Sequence, residues 1–475
     1  MATKRIPLGE WLPDQPSVVG TIQDVDSLVP VANGYAPFPT AVDYSNGGAG
    51  NLTNVFASKF SGLTQLFAGD GSKLYKFNVT TLDLDNVSKS GDYSGSDRWY
   101  FSQFGNTVLA VNNTNKVQSW TMGTSTLFGD VNASAPVGKY ITIVRDFVVV
   151  ANLDAGTNAN KLQWSDINDE TNWTAGAASQ SDYQIISDGG DITGITGGEF
   201  GIVLLEKAIV RMSYVGSPLF FQFDTISRGL GCMAGGSVAQ FAGITYFLSD
   251  DGFYSCDGKS IKPIGTERVD RFFFDDLNGS LIDTMSAASD PERKLILWNY
   301  PNVAGSRTLL IYNWQIDKWS KATTDVDYIT YAATSGVTLE DLDAYGTIDS
   351  LTTSLDDRLW VGGQYFFAGT RGDNIVTFTG SNATANIVVG DTEFGYNSVI
   401  NLVRSQVQDG SFDVAVSSRR QLQDTITFGS TVSASSEGRA SVRSSGRYHR
   451  FSLTPTGVWT NVLSIDVDYT EQGTR

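Results

Sequence analysis

The chain has 475 residues, of which only 18% are charged, while Gly occurs 49 times and aromatic residues make up 12%. This mixture suits short strands joined by turns and contains little amphipathic helix, so we predict an all-β protein. The net charge of −18 argues against a protein that grips nucleic-acid phosphates, because such proteins need basic surface. No apolar run approaches the roughly 20 residues of a membrane-spanning helix, so direct membrane insertion is not expected.

The first segment is rich in proline. Residues 1–40 hold six of the twelve prolines, and proline removes backbone donors and favours extended neighbours. We therefore predict an extended N-terminal arm over residues 1–45, lying across other parts of the chain or across a neighbouring subunit. The stretch Met1–Pro16 lacks the apolar centre of a secretion signal, so we expect the protein to stay in the cytosol where it is made, or to leave inside a larger assembly.

From about residue 46 to residue 380 the chain repeats one pattern. Each copy pairs an apolar strand with a second strand that ends in an aromatic residue, across a turn rich in Gly, Asn or Asp. The fifth copy is the clearest, since two aromatic-rich runs flank Asp250-Asp251 and Asp257-Gly258 closes the second run. The seven copies lie at 61–78, 103–121, 145–166, 197–214, 241–258, 294–320 and 357–380.

The spacing of these copies favours a β-propeller. Their starts lie between 42 and 63 residues apart, near the roughly 40–50 residues of a four-stranded blade. A hairpin alone cannot bury its apolar face, and closing the repeats into a ring removes the exposed sheet edges. We predict a six- to seven-bladed propeller over residues 46–380, with a β-sandwich as the alternative. Short helices are expected near Glu267–Leu277 and Leu339–Leu342.

The pattern changes in the last part of the chain. Residues 398–475 contain five alternating runs at short spacing, typical of antiparallel strands. The runs are SVINLVRSQV, FDVAVSSR, TITFGST, the stretch Gly446–Leu453, and NVLSIDVDY. We predict a C-terminal β domain over residues 381–475, a small antiparallel sandwich or an extra sheet packed on the propeller, to which the arm adds a strand.

The sequence offers little catalytic chemistry. Its single histidine, His449, lies in an alternating run between two arginines, which favours a structural or surface role over Ser-His-Asp catalysis. Cys232 and Cys256 lack the spacing of a zinc site and are interpreted as small buried thiols. We predict no enzyme activity and name no catalytic, cofactor-binding or metal-binding residue.

Several short motifs resemble functional sites but have simpler interpretations as turns or loops. Ser249–Phe253 resembles the Asp box of sialidase propellers, with the wrong spacing between Asp and Gly. Asp257–Ser260 resembles the end of a phosphate-binding loop, yet the upstream glycine is misplaced. Gly229–Ala234 imitates a dinucleotide fingerprint without its βαβ context. Arg371–Asp373 matches an adhesion tripeptide and is interpreted as a turn between strands.

Charged groups are interpreted as structural too. The carboxylate pairs Asp24/Asp26, Asp275/Asp276 and Asp356/Asp357 are typical loop acids, although sequence alone leaves glycoside hydrolysis open. The one local basic cluster consists of Arg439, Arg443, Arg447 and Arg450. Alternation along a strand places 450 opposite to 443 and 447, so we expect cross-strand or intersubunit ion pairs, with DNA contact as the alternative.

Two stretches resemble a known group of proteins. Gly235–Asp270, with its pattern YFLSDDGFY, DG and PIG, is similar to a blade of the tail nozzle and tail hub proteins of short-tailed bacteriophages, also called tail tubular or head-stabilising proteins. Leu295–Ser320 is similar to the blade that follows. The arm at 11–40 and the segments Gly390–Glu393, Val399–Val403, 444–451 and DVDYTEQGTR agree with the resemblance.

The resemblance implies a structural protein of the virion tail, assembled in the host cytoplasm, with six copies in a ring. Such a ring sits below the portal and the head–tail adaptor, extends the channel for genome ejection, and anchors fibres or a distal tip. Viral DNA passes through the lumen without specific binding, and an acidic lumen prevents adhesion. The alternative is a receptor- or carbohydrate-binding tail protein whose aromatic pocket is lined by Trp99, Tyr100 or Trp173; a propeller hydrolase ranks third.

Overall fold

The computed structural model describes residues 2–17, 21–48, 50–95, 97–333, 347 and 365–472. Across these ranges the regular structure is almost entirely β-strand. One α-helix, α1 (Asp270–Asp276), confirms the helix predicted near Glu267–Leu277. Short 3-10 helices lie at Asp154–Gly156, Gly235–Ser237 and Gly279–Thr284. The helix predicted at Leu339–Leu342 and the acids Asp356/Asp357 lie outside the described residues.

Five strands precede the first repeat. They are β1 (Ala2–Pro7), β2 (Ile22–Asp26), β3 (Leu28–Val31), β4 (Gly34–Pro37) and β5 (Val42–Asp43). The first four join a sheet built mainly from the end of the chain, whereas β5 joins the propeller. The proline-rich arm is therefore extended and paired with other segments along most of its length.

Seven four-stranded antiparallel sheets form the blades of the propeller. Blade I contains β6 (Asn54–Phe60), β7 (Leu63–Gly69), β8 (Leu74–Phe77) and β9 (Leu84–Asn86). Blade II contains β10 (Tyr100–Phe104), β11 (Thr107–Val111), β12 (Gln118–Thr121) and β13 (Gly129–Asp130). Blade III contains β14 (Gly138–Val144), β15 (Phe147–Leu153), β16 (Asn158–Trp164) and β17 (Asp182–Ile185). Blade IV contains β18 (Ile192–Thr196), β19 (Gly201–Leu205), β20 (Ala208–Gly216) and β21 (Phe220–Arg228).

The remaining blades follow the same order. Blade V contains β22 (Ala239–Phe241), β23 (Ile244–Ser249), β24 (Gly252–Cys256) and β25 (Ile261–Pro263). Blade VI contains β26 (Ser286–Asp290), β27 (Leu295–Pro301), β28 (Arg307–Asn313) and β29 (Lys318–Thr324). Blade VII contains β30 (Tyr328–Ala333), β31 (Tyr365–Arg371) and β32 (Asn374–Thr377), and takes β5 as its fourth strand.

The ring is closed by the N-terminal arm. In blade VII, Val376 pairs with Asp43 and Thr377 with Val42, so the outermost strand comes from the segment before blade I. Next to this closure, Thr330 Oγ1 of blade VII donates to the Val55 carbonyl of blade I at 3.1 Å. The propeller prediction is confirmed with seven blades, and the seven predicted copies are the middle strands of those blades.

The middle strands are apolar because they are covered on both faces. All residues of β11, β19 and β27 are buried. A strand packed between two neighbouring blades has no solvent side, so its sequence is a continuous apolar run and does not alternate. This burial explains why the middle strands are the part of each repeat that can be recognised in the sequence.

The end of the chain forms a ten-stranded sheet with the arm. It supplies β33 (Asn386–Val389), β34 (Thr392–Gln408), β35 (Ser411–Arg419), β36 (Val432–Ser433), β37 (Ala440–Thr456) and β38 (Asn461–Glu471). The central order is β2-β33-β37-β34-β38-β4-β3, with β1 also paired to β38 and β35 to β37. Four of the five alternating runs are strands here.

The strand predicted at TITFGST is wrong, because only β36, just beyond it, is regular. The run lies at an exposed edge, where the Gly429 N–H donates to the Val416 carbonyl at 3.1 Å. Ile426 and Phe428 remain 37% and 36% exposed. An alternating pattern specifies a strand only where a partner strand and a buried face are available.

The sheet is docked on the outer strand of blade VI. Asp26 accepts the Thr323 N–H at 2.7 Å, and Asp24 pairs with Lys321 at 2.8 Å. Beneath these contacts one continuous apolar core joins the sheet, α1 and blades V and VI, including Val25, Phe273, Trp319 and Leu453. The two ends of the chain and the propeller therefore share one core.

Candidate functional site

The loops and turns of the propeller are divided between two faces. The first strands of neighbouring blades contact one another around the axis, and antiparallel order places the loops leading into them on the same face as the turns between second and third strands. We call this the upper face. Its acidic residues are Asp70, Asp92, Asp97, Asp154, Asp188, Asp191, Glu206, Asp250, Asp251, Glu267, Asp270, Asp275, Asp276, Asp283, Asp325, Asp327 and Asp373. Its basic residues are Lys73, Lys89, Arg98, Lys116, Lys207, Arg228, Arg268, Arg271, Arg307 and Arg371. The upper face is thus strongly acidic.

Arg98 lies across the axis at this face. It precedes blade II, yet its Nη1 donates to the Met285 carbonyl before blade VI at 3.3 Å. Its guanidinium also lies 5.0 Å from the Tyr328 ring of blade VII and 5.6 Å from the Tyr100 ring. One cation therefore links blades on opposite sides of the ring.

Aromatic rings surround this cation. Tyr100 and Tyr140 meet edge to face at 5.1 Å, and burial raises the pKa of both phenols. Both therefore stay neutral at physiological pH. Arg307 lies on Tyr328 as well, at 5.8 Å. Sequence reasoning missed Arg98, because an isolated arginine before a strand carries no motif; only the ring brings its partners together.

The single histidine is a structural residue of the ten-stranded sheet. His449 is 0% exposed, and its Nε2 and Nδ1 lie 2.8 Å from Ser398 Oγ and 2.6 Å from Ser418 Oγ. Burial lowers the pKa of His449 to about 4, so the ring is neutral at physiological pH. The imidazole links β34, β35 and β37, as expected for the structural interpretation, and substrate has no access to it.

The motifs that imitate functional sites are turns and loops in the structure. Asp250 pairs with Lys207 at 2.8 Å in the turn between β23 and β24. Asp257 accepts the N–H groups of Lys259 at 2.8 Å and Ser260 at 2.7 Å, which closes a tight turn. The segment Gly229–Ala234 is the loop into blade V.

The adhesion-like tripeptide is held by the propeller itself. Arg371 binds Asp43 at 2.6 Å and Asp325 at 2.7 Å. Asp373 accepts the Gly48 N–H at 3.0 Å. Its charged groups stabilise the closure of blade VII, in agreement with the turn interpretation.

Three arginines of the basic cluster form ion pairs. Arg447 pairs with Glu393 at 2.7 Å, and Arg439 with Glu437 at 3.0 Å. Arg450 pairs with Asp391 at 2.7 Å, which also binds Arg419 at 2.5 Å. The fourth arginine, Arg443, is exposed. One predicted cross-strand ion pair, between Arg447 and Glu393, is therefore present, and ion pairs neutralise three of the four arginines.

The remaining candidate residues are also structural. Asp24 and Asp26 dock the arm, and Asp276 accepts the Tyr300 hydroxyl at 2.9 Å; Asp275 is exposed. Cys232 and Cys256 are free and buried as predicted, and burial raises the pKa of each thiol.

The aromatic residues predicted for a sugar pocket do not form one. Trp99 is 0% exposed and its indole donates to the Asp70 carbonyl at 2.7 Å. Trp173 is 2% exposed and donates to the Glu170 carbonyl at 2.8 Å. Both indoles are structural links inside the propeller.

Two further features are absent from the residues that the structure describes. No helix within these ranges is long and apolar enough to cross a membrane. Among the same residues, no group of three or more His, Cys, Asp or Glu side chains is arranged to hold a metal ion.

No family model and no curated protein matches the sequence. Among solved structures, the chain is similar to the WD40 domain of Neurospora crassa Pan2, with 8% identity, a TM-score of 0.39, and coverage of 71% of this chain and 93% of that one. It is also similar to a chain of the mitotic checkpoint complex, with 10% identity, a TM-score of 0.39, and coverage of 74% and 95%. These similarities are weak, whereas the strand pairing itself defines the propeller.

Proposed function

We propose that this chain is a structural subunit of a short-tailed bacteriophage tail, a nozzle or hub protein. Six copies form a ring below the portal and adaptor, extend the path of the ejected genome, and anchor fibres or a tip. The mechanism is geometric and involves no chemical step. Loops bind neighbouring proteins, and the blades supply a stiff wall.

The observation that carries this proposal is the way both chain ends are built into one body. The N-terminal arm completes blade VII through β5 and pairs with β33 and β38 of the C-terminal sheet. That sheet shares a continuous apolar core with blades V and VI. A body without a separate, loosely tethered domain transmits force without bending, because packed interiors have low compressibility.

The acidic upper face supports a passage for DNA that does not bind it. Phosphates approach acidic surface only against repulsion, and attraction would slow a sliding duplex. Within the propeller, Arg98 links the entry of blade II to those of blades VI and VII. In the proposed ring the passage runs between the subunits, and the propellers form its wall.

Particle mass tests the proposal directly. Mass photometry of purified protein should give a species of about six times the 51.3 kDa chain mass, with a six-fold ring in negative stain. The same protein should show no measurable binding to duplex DNA at low salt. Particles bearing labelled protein should carry the label at the head–tail junction.

Two results would count against the proposal. One is a strict monomer that is also absent from the junction of phage particles. The other is tight, salt-sensitive DNA binding, since that result requires a basic surface. Two double variants distinguish an effect of charge on the upper face from an effect of net charge alone. Asp188→Lys with Asp191→Lys changes the charge of the upper face, and Asp83→Lys with Asp146→Lys makes the same change of net charge on the lower face. All four side chains are exposed, so folding should be unaffected.

A further inference from the structure

The N-terminal arm is fastened to the propeller at helix α1. The Asp14 carboxylate accepts the backbone N–H of Arg271 at 3.0 Å and that of Phe272 at 2.9 Å. In return, Arg271 Nη2 donates to the Asp14 carbonyl at 3.1 Å. These N–H groups have no partner inside the helix, so Asp14 satisfies two donors from a distant part of the chain.

Neighbouring residues of the arm complete this attachment, which we call the arm clasp (residues 10–15). Glu10 forms an ion pair with Arg268, which also binds Asp317 at 2.9 Å. Gln15 donates to the Glu267 carbonyl at 2.8 Å. Trp11 is 0% exposed and lies inside the shared core. Opening the clasp therefore exposes apolar surface and breaks an ion pair.

A carboxylate is buried directly beside the clasp. Asp270 is 8% exposed and accepts the Phe253 N–H at 3.1 Å. It is wedged between two glycines: a Cβ at Gly252 would lie 2.3 Å from its Oδ2, and one at Gly265 would lie 2.0 Å from its Oδ1. This tight seat leaves the group little solvation when it is charged.

Several titratable groups lie near Asp270. They are Asp14 from the arm, Asp251 from the turn before β24, Tyr254 from β24, and Glu267 and Arg271 from its own segment. Together with Gln15 and Thr266, the nearer of these groups line a cleft of about 500 Å³. Burial first, and then the charges of Asp14 and Asp251, raise the pKa of Asp270 to about 6.

We propose that the arm clasp is a pH-sensitive latch, in which protonation of Asp270 fastens the arm and its ionisation loosens it. The neutral carboxyl keeps its seat between the glycines and no longer repels Asp14. The charged form repels the carboxylate of Asp14, which holds the arm. The latch is a property of the single chain and does not depend on the proposed assembly.

The direction of the pH dependence follows from the linkage between protonation of Asp270 and docking of the arm. Releasing the arm removes the charge of Asp14 and part of the burial, so the pKa of Asp270 falls toward its ordinary value. The docked state therefore takes up the proton more readily, and docking strengthens as pH falls through about 6. Burial also raises the pKa of Glu10, even though Arg268 opposes it, so Glu10 acts in the same direction. The change from 3.8 to about 6 limits the effect to about 100-fold.

Hydrogen exchange of the full chain tests the latch. Protection factors of peptides covering residues 8–17, corrected for intrinsic exchange, are measured at about pH 5 and about pH 8. We expect the arm of the wild type to be about tenfold to 100-fold better protected at the lower pH. The core strand Leu295–Pro301, which is fully buried, serves as the internal reference.

Three variants make the test specific. Asp270→Asn imitates the protonated carboxyl and should keep the arm protected at both pH values. Asp251→Asn removes one neighbouring charge and should shift the transition to lower pH. Asp275→Asn, an exposed residue on the same helix, should behave as the wild type. Equal arm protection of the wild type at both pH values would overturn the proposal, and so would a full wild-type pH dependence in the Asp270→Asn variant.

Discussion

Replacing Asp391 with Asn tests the ion network inside the ten-stranded sheet. The Asp391 side chain is 1% exposed, and its Oδ2 accepts hydrogen bonds from Arg419 at 2.5 Å and Arg450 at 2.7 Å. The two arginine side chains are themselves only 8% and 13% exposed. An amide has no negative charge, so the variant leaves two desolvated guanidinium groups facing a neutral partner.

The expected loss is large. Removing one partner of a buried ion pair typically costs about 3–5 kcal/mol, because the remaining charge is left uncompensated. Arg450 retains some contact with solvent, so we expect a loss of about 3 kcal/mol in the free energy of unfolding. The matched control is Glu437→Gln, which breaks the pair with Arg439 at 3.0 Å, where the side chains are 68% and 55% exposed. Exposed pairs contribute about 0–1 kcal/mol.

Urea unfolding followed by circular dichroism measures both variants against the wild type. Although burial opposes it, hydrogen bonds from Arg450 and Arg419 lower the pKa of Asp391 below its ordinary value. The stabilisation is therefore present above the pKa of an unfolded aspartate and is lost as pH falls through the lower folded value. Wild type and Asp391→Asn should converge in acid. A loss below about 1 kcal/mol, or one no larger than that of Glu437→Gln, would refute the reasoning.

Three further predictions concern stability. Trp298→Ala should lower the free energy of unfolding by about 3–5 kcal/mol in urea, since the 0%-exposed indole packs on Trp319 at 5.5 Å; a loss under about 1 kcal/mol would contradict this. Burial lowers the pKa of His449 to about 4, so unfolding takes up a proton between about pH 4 and 6.5 and stability falls as pH drops through that window. Calorimetry of His449→Gln should show a smaller slope of stability against pH than the wild type. An equal slope would argue against this role of His449. Gly252→Ala should cost about 1–3 kcal/mol by thermal denaturation, because φ is 147° and the new Cβ would lie 2.3 Å from Asp270 Oδ2; an unchanged melting temperature would be inconsistent with this contact.

The fold could be predicted wherever burial produces a local pattern of apolar residues in the sequence. The middle strands of each blade, such as Gly201–Leu205 and Leu295–Pro301, are buried along their whole length. They appear in the sequence as apolar runs around Gly- and Asp-rich turns. The outermost strands carry no such signal, since β13 (Gly129–Asp130) has only two residues and one is exposed.

The candidate site was much less predictable. Arg98 belongs to no motif, and its role across the axis depends on Met285 and Tyr328, which lie far along the chain. Asp270 resembles any other helix acid until Gly252, Gly265 and Asp14 surround it. The alternating run at 425–431 shows the reverse failure, because a strand-like pattern found no partner strand.

The amino-acid sequence by itself determined the all-β class, the seven two-stranded copies, the extended arm and the turn character of the motifs that imitate functional sites. These features depend on backbone preferences and on burial periodicity, which neighbouring residues encode. Only the tertiary structure decided that β5 closes blade VII, that both chain ends share one sheet, that Arg98 lies across the axis, and that Asp270 is confined beside the arm. Each of these depends on contacts between residues that lie far apart in the sequence, so the residues neighbouring in sequence do not encode it.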